Sequence, residues 1–198
     1  MTLWCRHCSV ILFYGGDEQT MKSVYEVCPV YRTERMTLRQ TMPEDAEELL
    51  KCYSDEQSLP FFNADNCPDN FYYTSIEQMK SEIKFWRDAY ANKGWVRWTV
   101  ILNDTCDKVG TVEMFHRPVP SRIGSHGVLR IDLRSDCENR EIIRNVLAIA
   151  QAHFYRDFDV NSIVTKAFPN ADERNDVLKQ SGYKPLPFEI ENYLGRKE

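Results

Sequence analysis

Three apolar, alternating stretches of the sequence carry charged side chains where a covered strand would ordinarily carry none. They are "WVRWTVIL" with Arg97 and Thr99, "VGTVEMFHR" with Thr111 and Glu113, and "HGVLRIDL" with Arg130 and Asp132. Successive side chains of a strand point to opposite faces, so each pair lies on one face of its own strand. If the three faces coincide, Arg97, Glu113, Arg130 and Asp132 meet inside one sheet. Charges in such a place are costly unless they are paired or functional. Two readings follow: a structural network of ion pairs, or carboxylates lining a pocket where Glu113 or Asp132 is a base or anchors a cationic amine. His116 follows the second stretch and is a further candidate base, although a lone histidine in "FHRP" also suits a surface.

A second chemical feature lies in "IDLRSDCENREIIRNVLAIA", which reads as a strand end, a short loop and a helix. A helix N-terminus offers unsatisfied N–H donors and partial positive charge to an anion. Here the loop has no glycine, and Asp136, Glu138 and Glu141 surround it with carboxylates that Arg134, Arg140 and Arg144 can offset. Either the two glutamates point to solvent and the main chain still binds an anion, or the acids simply favour the helix N-terminus as acids do in any protein.

The elements that must position these groups are legible along the chain. Met36, Leu38 and Gln40 alternate with Thr37 and Arg39, and Pro43-Glu44-Asp45 then opens a helix bearing Ala46, Leu49, Leu50 and Tyr53 on one face. "TSIEQMKSEIKFWRDAYANKG" is a second helix, with Ser75 and Gln78 as a capping box and Gly94 as a stop. The first two charged stretches form a hairpin through "NDTCDK", and the third follows. After the "NREIIRN" helix come a strand "NSIVTKAF", a helix "ADERNDVLKQSG" and a proline-rich segment "YKPLPFEIENYL" suited to a sheet edge. The fold class is α/β (α+β): a mixed, mostly antiparallel sheet of about six or seven strands flanked by about four helices. Residues 1–27 read as an N-terminal extension and 28–198 as the domain.

This order, together with "RTERMTLRQTMPEDAEELLKCYSD", resembles the GNAT acetyltransferase superfamily, in the RimJ/RimL-like branch that acetylates protein N-terminal and small-molecule amines. The resemblance rests on Thr33 to Arg39, Pro43 to Ala46, "VGTVEMF", "LRIDLRSDCENREIIRN" and the Gly182-Tyr183 pair, and runs from Tyr31 to Tyr193. It implies a GNAT-like fold and an N-acetyltransferase with acetyl-CoA as co-substrate and no metal. The pantetheine arm would lie along the strand ending at Leu133 and Arg134, with the pyrophosphate on the main chain of Asn139, Arg140, Glu141, Ile142 and Ile143 and with Asn170 nearby. Glu113 and Asp132 become the candidate catalytic residues. Phe61, Phe62 and Asn63 of "LPFFNADN", with Arg97 and Arg130, become candidates for contact with a small-molecule or peptide amine. The chain departs from the family loop at Glu138, Glu141 and Ile143, and the tyrosine some members use as an acid is Leu178 here. The alternative is a non-catalytic ligand-binding or regulatory module on the same fold.

Composition narrows the partners. The chain has 198 residues, 42% apolar and 28% charged, with a formal charge of −5, which gives no electrostatic footprint for nucleic acid or an anionic membrane. No apolar run approaches the ~20 residues of a spanning helix, and no signal peptide is recognisable, so a cytoplasmic protein is expected; as to assembly, the expectation is a monomer or homodimer. Seven scattered cysteines, including "CRHC" at Cys5 and Cys8, read as free thiols.

Overall fold

The computed structural model describes residues 23–62, 70–117, 125–186 and 192–198. Among them eight strands form one sheet: β1 (Tyr31–Arg32), β2 (Met36–Gln40), β3 (Val96–Leu102), β4 (Lys108–Arg117), β5 (His126–Leu133), β6 (Ser162–Lys166), β7 (Lys184–Pro185) and β8 (Tyr193–Lys197). Their spatial order is β1-β2-β3-β4-β5-β6-β8-β7. Only β5 and β6 run parallel; the other neighbours are antiparallel. The count exceeds the expected six or seven because two-residue strands add to each edge, and the C-terminal segment splits into β7 and β8. Pro185 sits in the edge strand β7, the kind of strand that tolerates proline.

Helices α1 (Ala46–Tyr53) and α2 (Ile76–Ala91) cover one face and build a small core with Phe62, Phe71 and Tyr73. On the other face, α3 (Arg140–Ile149) passes through a π turn at Ala150–Phe154 into α4 (Tyr155–Phe158), and α5 (Asp172–Gln180) packs against α3. The main core there joins Met36, Leu38, Val96, Trp98, Val112, Met114, Leu129 and Ile131 to Ile143, Val146 and Leu147. The capping box on α2 forms as the sequence predicts: the Gln78 N–H donates to Ser75 Oγ at 3.2 Å, and the Ser75 N–H to Gln78 Oε1 at 3.2 Å.

Two irregularities shape the centre of the sheet. Val100 pairs with Gly110 but Ile101 pairs with Lys108, so Val109 is an extra residue in β4. Gly110 lies at φ +154°, and a Cβ there would fall 2.1 Å from the Asp132 carbonyl oxygen, so only glycine lets β4 come this close to β5. The second irregularity is that β5 and β6 pair from His126↔Ser162 to Val128↔Val164 and no further. Beyond Val128 the β5–β6 ladder ends, while residues 129–133 of β5 keep their β4 partners.

The "PEDA" segment is tied down by more than a helix dipole. Asp45 is fully buried, accepts from Arg39 Nη1 and Nη2 at 2.7 and 2.6 Å, and takes the Met42 N–H at 2.9 Å and the Thr99 hydroxyl at 2.8 Å. Burial works against its charge, but these donors outweigh it and hold the carboxyl below its ordinary value. Because the folded pKa is depressed, the stabilisation is complete above the unfolded value of about 3.9 and is lost as the pH falls through the lower folded value. Asp45→Ala should therefore cost about 2–4 kcal/mol at pH 7. In urea denaturation the gap between wild type and variant should shrink below about pH 4; a gap that stays constant with pH would contradict the assignment.

Candidate functional site

The register of β3, β4 and β5 sets the charged residues in two rungs. Arg97 pairs with Glu113 and Glu113 with Arg130, while Thr99 pairs with Thr111 and Thr111 with Asp132. All six are buried on the α1/α2 side of the sheet. Arg97 directs Nε and Nη2 at Glu113 Oε2, the former at 2.8 Å, and Arg130 Nη1 reaches Glu113 Oε1 at 3.3 Å. The Asp132 Oδ2 atom accepts from the Tyr53 hydroxyl at 3.0 Å and lies 3.6 Å from both Arg97 Nη1 and Arg130 Nη2. Tyr53 is also 2.8 Å from Thr111 Oγ1 and accepts from Arg97 Nη1 at 2.9 Å.

Aromatic rings roof this cluster. Trp86 of α2 lies 4.1 Å from the Arg97 guanidinium and Phe71 lies 4.5 Å from that of Arg130. Phe71 holds a left-handed backbone at φ 54°, a costly conformation for a bulky residue that persists only where packing fixes it. Burial, with Asp132 beside it, pushes the Tyr53 phenol well above its ordinary value, so it remains an O–H donor. Burial opposes the charge on Arg97, but Glu113, Tyr53 and Asp132 more than offset this and keep the guanidinium charged.

At the far end of β5 the turn into α3 is lined by the protein's own carboxylates. The Asn139 side chain caps the helix, accepting the N–H groups of Glu141 and Ile142 at 3.1 Å each, and the Ile143 N–H donates to the Asn139 carbonyl. The Arg140 N–H donates to the Glu173 carboxylate of α5 at 3.2 Å, and the Ser135 N–H to Asp55 Oδ2 at 2.9 Å. A carboxylate thus already sits on the first turn of α3. Glu138 is not turned to solvent. It is bound by Arg174 Nε and Nη2 at 2.6 and 2.7 Å, with side-chain exposures of only 1% for Arg174 and 8% for Glu138. Glu141 does face outward and pairs with Arg35 at 2.7 Å. Of the three arginines, Arg134 does offset a loop carboxylate, Asp136, while Arg140 is committed to Asp176 and Arg144 to Gln180 of α5.

The structure brings Arg97, Glu113, Arg130 and Asp132 together, with Leu133 and Arg134 leading on to Asn139–Ile143. Phe62 is buried against Tyr53, and the Phe61 carbonyl accepts from Arg174 Nη1 at 3.0 Å. Asn63 and the Cys5–Cys8 pair lie outside the described residues. Asn170 is exposed before α5, and Leu178 is core. His116 lies on the opposite face of β4 from Glu113 and is bonded to Ser125 at 2.9 Å. Sequence reasoning missed Tyr53 as a polar partner, the roof residues Trp86 and Phe71, and the α5 pair Glu173 and Arg174.

Residues 35–184 match the family model described as an acetyltransferase (GNAT) domain. YoaA, an uncharacterized N-acetyltransferase of Bacillus subtilis, is 31% identical over 84 residues, which span 42% of this chain and 44% of that protein. Among solved structures, the RimL ribosomal alpha-N-protein acetyltransferase in complex with coenzyme A superposes with a TM-score of 0.66 at 12% identity, covering 85% of this chain and 98% of that one. Mycobacterium smegmatis RimJ, in complex with a coenzyme A disulfide, gives 0.64 at 15% identity over 82% and 81% of the two chains.

The two-arginine grip on Glu113 makes a thermodynamic prediction. Glu113→Gln leaves a buried guanidinium without its counter-charge and should cost about 3 kcal/mol or more in chemical denaturation. A loss below about 1 kcal/mol would mean that the ion pair does not hold the three strands together.

Proposed function

Because the chain belongs to the GNAT acetyltransferase family, we propose that it moves an acetyl group from acetyl-CoA to a primary amine by direct attack, with no covalent enzyme intermediate. The observation that carries this reading is the divergence of β5 from β6 after Val128, on the strand that bears the buried Asp132. Acetyl-CoA supplies the activated thioester carbonyl. Where β5 diverges from β6, the main chain of Arg130, Ile131 and Leu133 offers a strand edge to an extended, amide-bearing arm. The Arg140 N–H offers an anion seat at the first turn of α3 once the Glu173 carboxylate moves off it.

Asp132 is the better placed of the two carboxylates to take a proton from the incoming ammonium. Glu113 is gripped by Arg97 and Arg130, and its work is to fix the arginines. Tyr53 and Thr111 extend from Asp132 as a hydroxyl relay. A second reading, a non-catalytic ligand-binding or regulatory module, is favoured by one observation: the first-turn donors of α3 are already satisfied by Asn139 and Glu173.

Calorimetric titration with acetyl-CoA separates the two. The transferase reading expects binding by the wild-type protein, and about 3- to 10-fold tighter binding by Glu173→Ala, which removes a competing carboxylate from the helix N-terminus. No binding by either protein at millimolar acetyl-CoA would leave the non-catalytic reading. With an accepted amine, Asp132→Asn should lower kcat by about 100-fold or more while acetyl-CoA affinity is retained; an undiminished rate would remove Asp132 as the proton acceptor.

A further inference from the structure

Three arginines are buried in or beside the site, and two of them use the same edge of the guanidinium. Arg97 directs Nε and Nη2 at Glu113, and Arg174 directs Nε and Nη2 at Glu138. This fork matches the two oxygens of a carboxylate. Arg130 is the third. It is only 7% exposed, and its Nε and Nη2 have no hydrogen-bond partner among the described residues. Its remaining nitrogen, Nη1, is the one that reaches Glu113. A buried guanidinium with an unsatisfied fork is expensive, and native structures retain such groups where a ligand completes them.

Position says which ligand. Arg130 lies two residues past Val128, where β5 leaves β6, on the face that carries Asp132. The Phe71 ring covers the guanidinium at 4.5 Å, and Asp132 Oδ2 lies 3.6 Å from Nη2. A buried carboxylate thus stands next to an anion-seeking fork. The group that complements both is an ammonium and a carboxylate two or three bonds apart. A phosphate dianion fits worse, because Glu113 and Asp132 lie 3.3 and 3.6 Å from the same guanidinium and repel a second negative charge.

Resting on the amine-acetylating reading above, we infer that the acceptor is an amino acid, its carboxylate held by the Arg130 fork and its amine turned to Asp132. The ammonium would pass one proton to Asp132, the amine so formed would attack the thioester carbonyl, and the amide C–N bond would form as the C–S bond breaks, the second nitrogen proton leaving with the thiolate to give the free thiol.

The test compares kcat/KM, with acetyl-CoA as donor, for the standard L-amino acids and for the amines left by removing their carboxylates, with O-phosphoethanolamine as a phosphate arm. For the best pair the wild-type protein should prefer the amino acid by about 10-fold or more, and Arg130→Lys, which keeps the charge but loses the fork, should cut that preference by about 10-fold. Equal rates for the pair, a preference unchanged in Arg130→Lys, or a preference for O-phosphoethanolamine would each overturn the assignment. If no amine is acetylated, N-acetyl amino acids are titrated calorimetrically into the wild-type protein against their decarboxylated amides. Selective binding of the carboxylated series supports the Arg130 assignment although the transferase reading has failed, and no selectivity overturns it. This second measurement uses the wild-type protein alone, so it stands even if the Arg130 variant does not fold.

Discussion

The Arg97–Glu113–Arg130 rung is the constraint on which the centre of the molecule depends. It crosses β3, β4 and β5 at one level, and each member needs the others because a lone charge at that depth is untenable. A register slip of one residue in any of the three strands would turn its charged side chain into the apolar core on the α3 side and leave the partners unpaired. The rung also decides what can cover it: two of the rings above, Trp86 and Phe71, lie over guanidinium groups. Register and roof follow from one set of buried charges.

β5 serves two regions through its two edges and its two ends. One edge is fully paired to β4 and carries the charge cluster with it. The other parts from β6 after Val128 and continues to Leu133, where the turn into α3 begins. At that turn the carboxylates of Asp55, Glu138 and Glu173 satisfy N–H groups or an arginine that sequence alone would leave open to a ligand. The carboxylates gathered at this loop, Glu138 from within it and Asp55 and Glu173 from outside it, therefore behave as internal anions. They make the loop ordered and self-sufficient without glycine, and any outside anion meets a resident competitor there.

Much of this was legible in the sequence, for a physical reason. The charged residues occur at period two within apolar strands, so their common face could be read before any neighbour was known, and the register then made them meet. The capping box on α2 and the "PEDA" start of α1 are local signals of the same kind, although the bidentate grip of Arg39 on Asp45 is a contact between strand and turn that spacing does not announce. The roof was not legible, because Phe71 and Trp86 reach the cluster from a loop and from a helix whose rotation over the sheet is set by packing. Nor was the inward turn of Glu138. It depends on Arg174, 36 residues further on in another helix, and a surface acid and a buried one look alike in a one-dimensional string.

The extra residue in β4 has a consequence for how the chain should be matched to its relatives. By plain alternation Lys108 would share a face with Val112 and Met114, and Val109 would share one with Thr111. The bulge exchanges them, so that Lys108 pairs with Glu48 at 2.7 Å and Val109 enters the core. A relative that lacks the bulge should carry the opposite pattern, an apolar side chain and then a polar one, in what looks like the same pair of columns. Set side by side without a gap, the two would appear to differ by a pair of radical substitutions, when the physical difference is one inserted residue and an unchanged pair of faces.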